Sequence, residues 1–175
     1  MEKFQDEHLP LSIGDTQYVS DGPENRTFML PIVNPSKYSS ATGVKVEFLN
    51  IQPLPPLNNC ASIPFPIQRF AEDKIDVIRP GSQLLFNVLR MIFDIDPWNF
   101  EIEFSEHFTP NNSFKPEDDD TQQAEEAIPE LKRYCFTIGV LAHGRQEIRE
   151  NFQLSFLIRE DYSYDPTFSR IRRGD

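Results

Sequence analysis

Two stretches, "RYCFTIGVLA" (133–142) and "NFQLSFLIRE" (151–160), alternate apolar and polar residues with a period of two, and "HGRQE" lies between them. Only an extended strand puts every second side chain on one face. Tyr134, Phe136, Ile138 and Val140, then Phe152, Leu154, Phe156 and Ile158, are therefore expected to line the buried side of a β-hairpin. A hairpin is marginal alone and needs a second layer to cover its apolar face.

Earlier segments carry the same period. "RTFMLPIV" (26–33) sets Phe28, Leu30 and Ile32 on one face, and Pro31, with no N–H for a ladder, assigns it to an edge or a strand end. "VKVEFLNI" (44–51) turns Val44, Val46 and Phe48 inward, with Lys45 and Glu47 outward. "DKIDVIRPGSQLLFNVLRMIFDID" (73–96) reads as two strands around a Pro80-Gly81 turn, with Ile75 and Val77 before it and Leu84, Phe86 and Val88 after it. A helix over 82–93 is the alternative there, because Leu85, Leu89 and Ile92 also fall at helical spacing. "PWNFEIEFSEHF" (97–108) puts Phe100, Ile102 and Phe104 inside and Glu101 and Glu103 outside. Residues 52–70 hold five prolines and are expected as extended connection with at most one short edge strand.

About seven or eight such segments, with no long helical period between them, predict an all-β, antiparallel sandwich in one domain. The boundaries expected are a polar, turn-rich lead-in (1–24), the sandwich (25–160) with an acidic excursion (111–131) before the final hairpin, and a polar, fraying tail (161–175). Fifteen Phe against one Trp supply the core, and 15 Pro against 7 Gly suit a sheet protein with stiff connections.

The segments "RTFMLPIVN", "ATGVKVEFLNIQPLPP", "DKIDVIRPGSQLLFNVL", "KRYCFTIGVLAHG" and "ENFQLSFLI" together resemble an immunoglobulin-like β-sandwich found in uncharacterised bacterial proteins. The resemblance spans about residues 26–158 and departs from the family's pattern at the acidic insertion. It implies the fold. It carries no catalytic residues onto this chain.

The acidic insertion is the feature with most to say about function. Glu117, Asp118, Asp119, Asp120, Glu125, Glu126 and Glu130 supply −7 of a formal net charge of −11, with no basic residue among them. Calcium loops alternate their oxygen ligands and place Gly at the sharp turn. Three contiguous Asp without a Gly do not match, so no metal is expected, and a solvated excursion is the plain reading. The functional version is a docking surface for a basic protein. The overall acidity argues against nucleic acid or an anionic membrane as partner, despite the short basic run "SRIRR" (169–173).

No signature of a hydrolase, zinc protease, nucleotide-binding loop or dithiol pair occurs. Cys135 is expected to be buried as a small hydrophobe, and Cys60 has no partner at framework spacing. His107 and His143 read as surface histidines, and Trp98 as a cover for one end of the core, with Tyr38, Tyr162 and Tyr164 the other members of a conceivable aromatic platform. The N-terminus has no apolar leader and no run is long enough to span a bilayer, which points to the cytoplasm. The expectation is a non-catalytic protein-binding module without cofactor, using the acidic segment and exposed sheet edges, the edge at Arg26–Val33 among them. Self-association through such an edge is the homo-oligomeric version. The competing reading is a sandwich whose end loops bind a small ligand, a sugar or a metal ion, with hydrolytic activity as an extension.

Overall fold

The hairpin expected from the period-two alternation is present in the computed structural model, which describes residues 2–22, 25–53, 65–67, 77–93, 100–104, 113–114, 131, 133–160 and 164–172. In chain order the elements are α1 (Glu2–Glu7), β1 (Ser12–Ile13), β2 (Gln17–Asp21), β3 (Asn25–Val33), β4 (Ala41–Thr42), β5 (Lys45–Gln52), β6 (Phe65–Pro66), β7 (Val77–Ile78), β8 (Gln83–Phe93), β9 (Phe100–Phe104), β10 (Ser113–Phe114), β11 (Tyr134–Leu141), β12 (Ile148–Ile158) and β13 (Tyr164–Arg170). The hairpin is β11 on β12, in register Tyr134↔Leu154 to Val140↔Ile148.

The strands form two antiparallel sheets. One runs β1-β3-β8-β9-β10, with β2 also on β3; the other runs β13-β12-β11-β5-β6. A two-stranded ladder, β4 with β7, completes the described pairing. Phenylalanine rings join the two sheets across one core. Phe48 meets Phe104 at 5.2 Å, Phe104 meets Phe136 at 5.9 Å, and Phe28 meets Phe168 at 6.0 Å between ring centroids. Offset and edge-on rings at such distances add attraction beyond their buried area.

Two bulges reset the inward face. Register on β3 passes from Phe28↔Leu89 to Met29↔Asn87, leaving Val88 as the extra residue of β8. Val88 and Leu89 are both buried, so the inward set changes from Phe86 and Val88 to Leu89 and Met91. Of Leu85, Leu89 and Ile92 only Leu89 belongs to the inward set; the helical spacing arises because apolar residues stand on both faces of β8. On β5, register passes from Phe48↔Ile138 to Asn50↔Thr137, which makes Leu49 the extra residue. Its side chain lies over Gly139, where a Cβ would stand 2.6 Å from Leu49 Cδ1.

The expected Pro80-Gly81 turn is present. Ser82 N–H donates to Arg79 O at 3.1 Å, and Gly81 sits at φ +66°, the arrangement of Pro then Gly that a type II turn requires. The strands on either side of it belong to different ladders: β7 pairs with β4 and β8 with β3.

Several expectations change. Arg26–Val33 is not an edge, because β3 carries β8 on one side and β1 and β2 on the other. Residues 1–24 are more than a lead-in: they contribute α1, β1, β2 and the buried Leu11 and Ile13. Within the expected tail, 164–170 is a strand paired along β12. Ser113–Phe114 of the expected excursion is β10, paired with β9. Among the described residues there are eight strands of five or more residues and five of two; β2 and β13 fall in the expected lead-in and tail, and the strand expected before Pro80 is the two-residue β7. Glu103 does project from the face opposite Ile102 and Phe104, yet it is buried, with Arg90 Nη2 2.6 Å from its Oε2 across the β8–β9 pair. Cys135 is exposed rather than buried, because Tyr134 and Phe136 take the inward positions on either side of it.

Phe136 is 1% exposed at the centre of the ring chain, whereas Leu157 is 60% exposed near the end of β12. Phe136→Ala is expected to lower unfolding free energy by about 3–5 kcal/mol. Leu157→Ala is expected to change it by less than about 0.5 kcal/mol. Urea unfolding of both variants followed by tryptophan fluorescence and far-UV circular dichroism checks the contrast.

Candidate functional site

A proline in an internal strand creates the neighbourhood in which two sheet edges come together. In an antiparallel ladder a residue's N–H and C=O point the same way, toward one neighbour. Pro31 O accepts from Gly14 N at 2.8 Å, so its missing N–H also faces the segment between β1 and β2. The two short strands pair with β3 on either side of this point. Gly14 is required there, because a Cβ would stand 2.7 Å from Pro31 Cγ. With no donor returning from Pro31, Gly14 O accepts from Arg170 Nη2 at 3.3 Å, and the same nitrogen donates to Ile13 O.

Arg170 therefore ties the end of β13, in one sheet, to the β1–β2 junction of the other. Its Nε lies 2.5 Å from Glu150 Oε2, an ion pair by distance that is not aligned as a hydrogen bond. Its guanidinium also stands 5.8 Å from the Phe152 ring centroid. A cleft of about 400 Å³ opens beside it, lined by Gly14, Asp15, Thr16, Phe152, Phe168, Ser169, Arg170 and Arg172. The Tyr18 ring on β2 meets Phe28 at 5.3 Å in a tilted arrangement, and Phe28 in turn meets Phe168 of β13, so the outer strands of the two sheets flank one side of the core.

These outer strands differ in what they offer. Ile171 N–H donates to Asn151 O at 2.8 Å, so odd positions at the end of β13 face β12 and even ones face away. Pro166 is then on the outward side, where it removes a donor from the middle of that edge. On β2 the parity runs the other way. Odd residues of β3 face β2, and their partners Gln17, Val19 and Asp21 complete that ladder. The N–H and C=O of Tyr18 and Ser20 point outward, and among the described residues nothing pairs with that side. Tyr18 is 47% and Val19 41% exposed, large values for two adjacent apolar side chains on opposite faces of one strand.

A second polar cluster fastens loops to one another. Asp6, on α1, is buried and accepts from Ser36 Oγ, from Lys37 N at 2.8 Å and from Tyr38 N at 2.9 Å. Asn34, fully buried, donates to Ser39 O and Ile78 O, and its Oδ1 accepts from Ser36 N and from Arg145 Nη1. Arg145 donates further to Leu9 O and Ser39 O. The Ser36 hydroxyl, helped by the backbone N–H groups of Lys37 and Tyr38, holds the Asp6 carboxyl below its usual range against the opposing effect of burial. Burial lowers the Arg145 guanidinium from its ordinary value, and the Asp6 charge partly offsets this. Each of these acceptors and donors has a partner inside the cluster, so it serves to hold the chain.

Of the residues singled out from sequence, Glu117, Asp118, Asp119, Asp120, Glu125, Glu126 and Glu130 lie outside the described residues, as do Cys60, Trp98, His107 and Tyr162. His143 is exposed in the β11–β12 turn with its ring against Gly43, and Tyr38 is exposed beside the polar cluster. Among the described residues, no group of three or more His, Cys, Asp or Glu is placed to hold a metal ion. No helix among them is long and apolar enough to cross a membrane. Tyr18, Val19 and Arg170 were missed. "QYVS" holds two strong strand formers, but it is short and sits in polar surroundings; Arg170 belongs to the "SRIRR" run. Comparison with family models, with curated proteins and with solved structures finds no match to this chain.

Because the Asp6 pKa is depressed in the folded protein, its contribution to stability is complete above the unfolded-state value near 3.8 and is lost as pH falls through the lower folded value. Asp6→Asn is expected to be less stable than the wild type at pH 6, with the difference shrinking toward pH 2. Urea midpoints across this range check the sign.

Proposed function

We propose that this chain is a non-catalytic protein-binding module, an immunoglobulin-like β-sandwich that takes an extended segment of another protein along an exposed sheet edge. Residues 117–130 form the second contact in this reading, for a basic partner, and the setting is cytoplasmic. No cofactor is needed, because the work is placement. The observation that carries the reading is β2: a five-residue outer strand with outward backbone groups at Tyr18 and Ser20 and apolar side chains exposed on both its faces. Strand addition draws affinity from such main-chain groups and specificity from alternate side chains.

Ser20→Pro is the specific probe. The N–H it removes faces away from β3, so the β2–β3 ladder is expected to survive, and Ser20→Ala controls for the Ser20 Oγ to Gly22 O bond of 2.9 Å. Four baits are used for capture from the source cells: wild type, Ser20→Ala, Ser20→Pro, and a chain with 117–130 replaced by a neutral linker. A partner held by the first two and lost by Ser20→Pro is the expected result, with weakened and more salt-sensitive capture by the linker variant. Equal capture by all four, or none by any, overturns the reading.

A further inference from the structure

Among the described residues, the outer strands of the two sheets are β1, β2, β6, β10 and β13. Three of these have two residues each, and β13 carries Pro166 on its outward side. Shortness and proline are the devices by which natural sheets blunt their edges against pairing. β2 alone in this set has neither, and it has no lysine. An edge left open while its counterparts are blunted has the properties of an interface.

Resting on the edge-binding reading above, we propose that the segment β2 takes is β2 of a second copy of this chain, antiparallel about a two-fold axis at Val19. The backbone restricts the register and the side chains select within it. Tyr18 and Ser20 are the outward-facing residues, so they must form the hydrogen-bonded pairs, and an axis at Val19 sets Tyr18 opposite Ser20 of the second copy and Ser20 opposite its Tyr18. That gives four N–H···O=C bonds. Val19 meets its own counterpart as a non-hydrogen-bonded pair, the closer of the two kinds, with its exposed apolar side chain covered. Gln17 falls opposite Asp21 of the second copy, an amide residue across from an acidic one. Moving the axis to Tyr18 sets Asp15 opposite Asp21 of the second copy, and like charges directly opposed are unfavourable. On a chain of net charge −11, association needs a contact that avoids such pairs. The product is a continuous sheet across the two-fold axis, with β3 next to β2 on either side.

Two measurements test this on the full chain. Sedimentation velocity over a concentration series is expected to show a dimer for wild type and Ser20→Ala and a monomer for Ser20→Pro, with circular dichroism checking that the proline variant is folded. With Cys60 and Cys135 replaced by Ser, Val19→Cys is expected to give a disulfide-linked dimer under mild oxidation, and Gln17→Cys little or none, since only position 19 faces itself. A wild type that stays monomeric at every concentration, or a dimer that Ser20→Pro leaves intact, overturns the self-pairing. So does cross-linking at Gln17→Cys in place of Val19→Cys. A monomeric wild type whose capture of another protein is lost on Ser20→Pro overturns the second copy while the edge-binding reading stands. Capture that ignores Ser20→Pro removes that reading itself.

Discussion

The fold depends on a run of phenylalanine rings that belongs to neither sheet alone. Phe48 and Phe136 come from one sheet, Phe28 and Phe104 from the other, and Phe168 reaches in from an outer strand to stack on Phe152 with ring planes 3° apart. Phe48, Phe104, Phe136 and Phe152 are almost fully buried. Either sheet by itself would leave the rings it carries facing water, so each layer depends on the other to cover its apolar side. The two bulges serve this packing. By inserting Val88 and Leu49 they change strand parity and keep apolar side chains facing inward where a regular strand would turn them out.

With the layers joined by rings, the polar groups at the margins carry the rest of the organisation. Asp6, Asn34 and Arg145 draw the helix α1, the 34–39 segment and the β11–β12 turn into one hydrogen-bonded cluster. Such a buried network stabilises only when its members are satisfied, and here the bonds named close on one another. Arg170 has the corresponding role at the β1–β2 junction, where Pro31 leaves a carbonyl without its ladder donor. A single proline therefore explains three features: the interruption between β1 and β2, the glycine at position 14, and the arginine that links the two sheets. The side of β2 that is unpaired among the described residues begins just beyond that interruption.

Much of the architecture was legible in the sequence. The alternation at Tyr134–Val140 and Phe152–Ile158 specified a hairpin, although Ile158 at its far end is exposed. The faces containing Val46 and Ile102 were read correctly from strict period-two runs, and Phe28, Leu30 and Ile32 do face the core, although Met29 and Pro31 between them are buried as well. The turn at Pro80-Gly81 was legible because Pro presets the first turn position and Gly tolerates positive φ at the second. The site was much less so. Pro31 suggested an edge, but tolerance for a missing N–H depends on what the facing strand offers, and here that is a gap. Cys135 shows that the alternation outranks residue type: with Tyr134 and Phe136 inward, the thiol between them had to face outward, although cysteine as a type favours burial. Tyr18 and Val19 are too few to make a period.

What the sequence by itself determined is local: which segments are extended, which of their faces are apolar, and where the chain must turn. These follow from side-chain period and from the backbone preferences of Gly and Pro, which act over a few residues. Which strands are neighbours, which lie at an edge, and which backbone groups are left facing outward were decided only by the tertiary structure. Those properties depend on pairings between residues as far apart as Gly14 and Arg170, or Asn34 and Arg145, and no short-range pattern encodes a partner more than a hundred residues away.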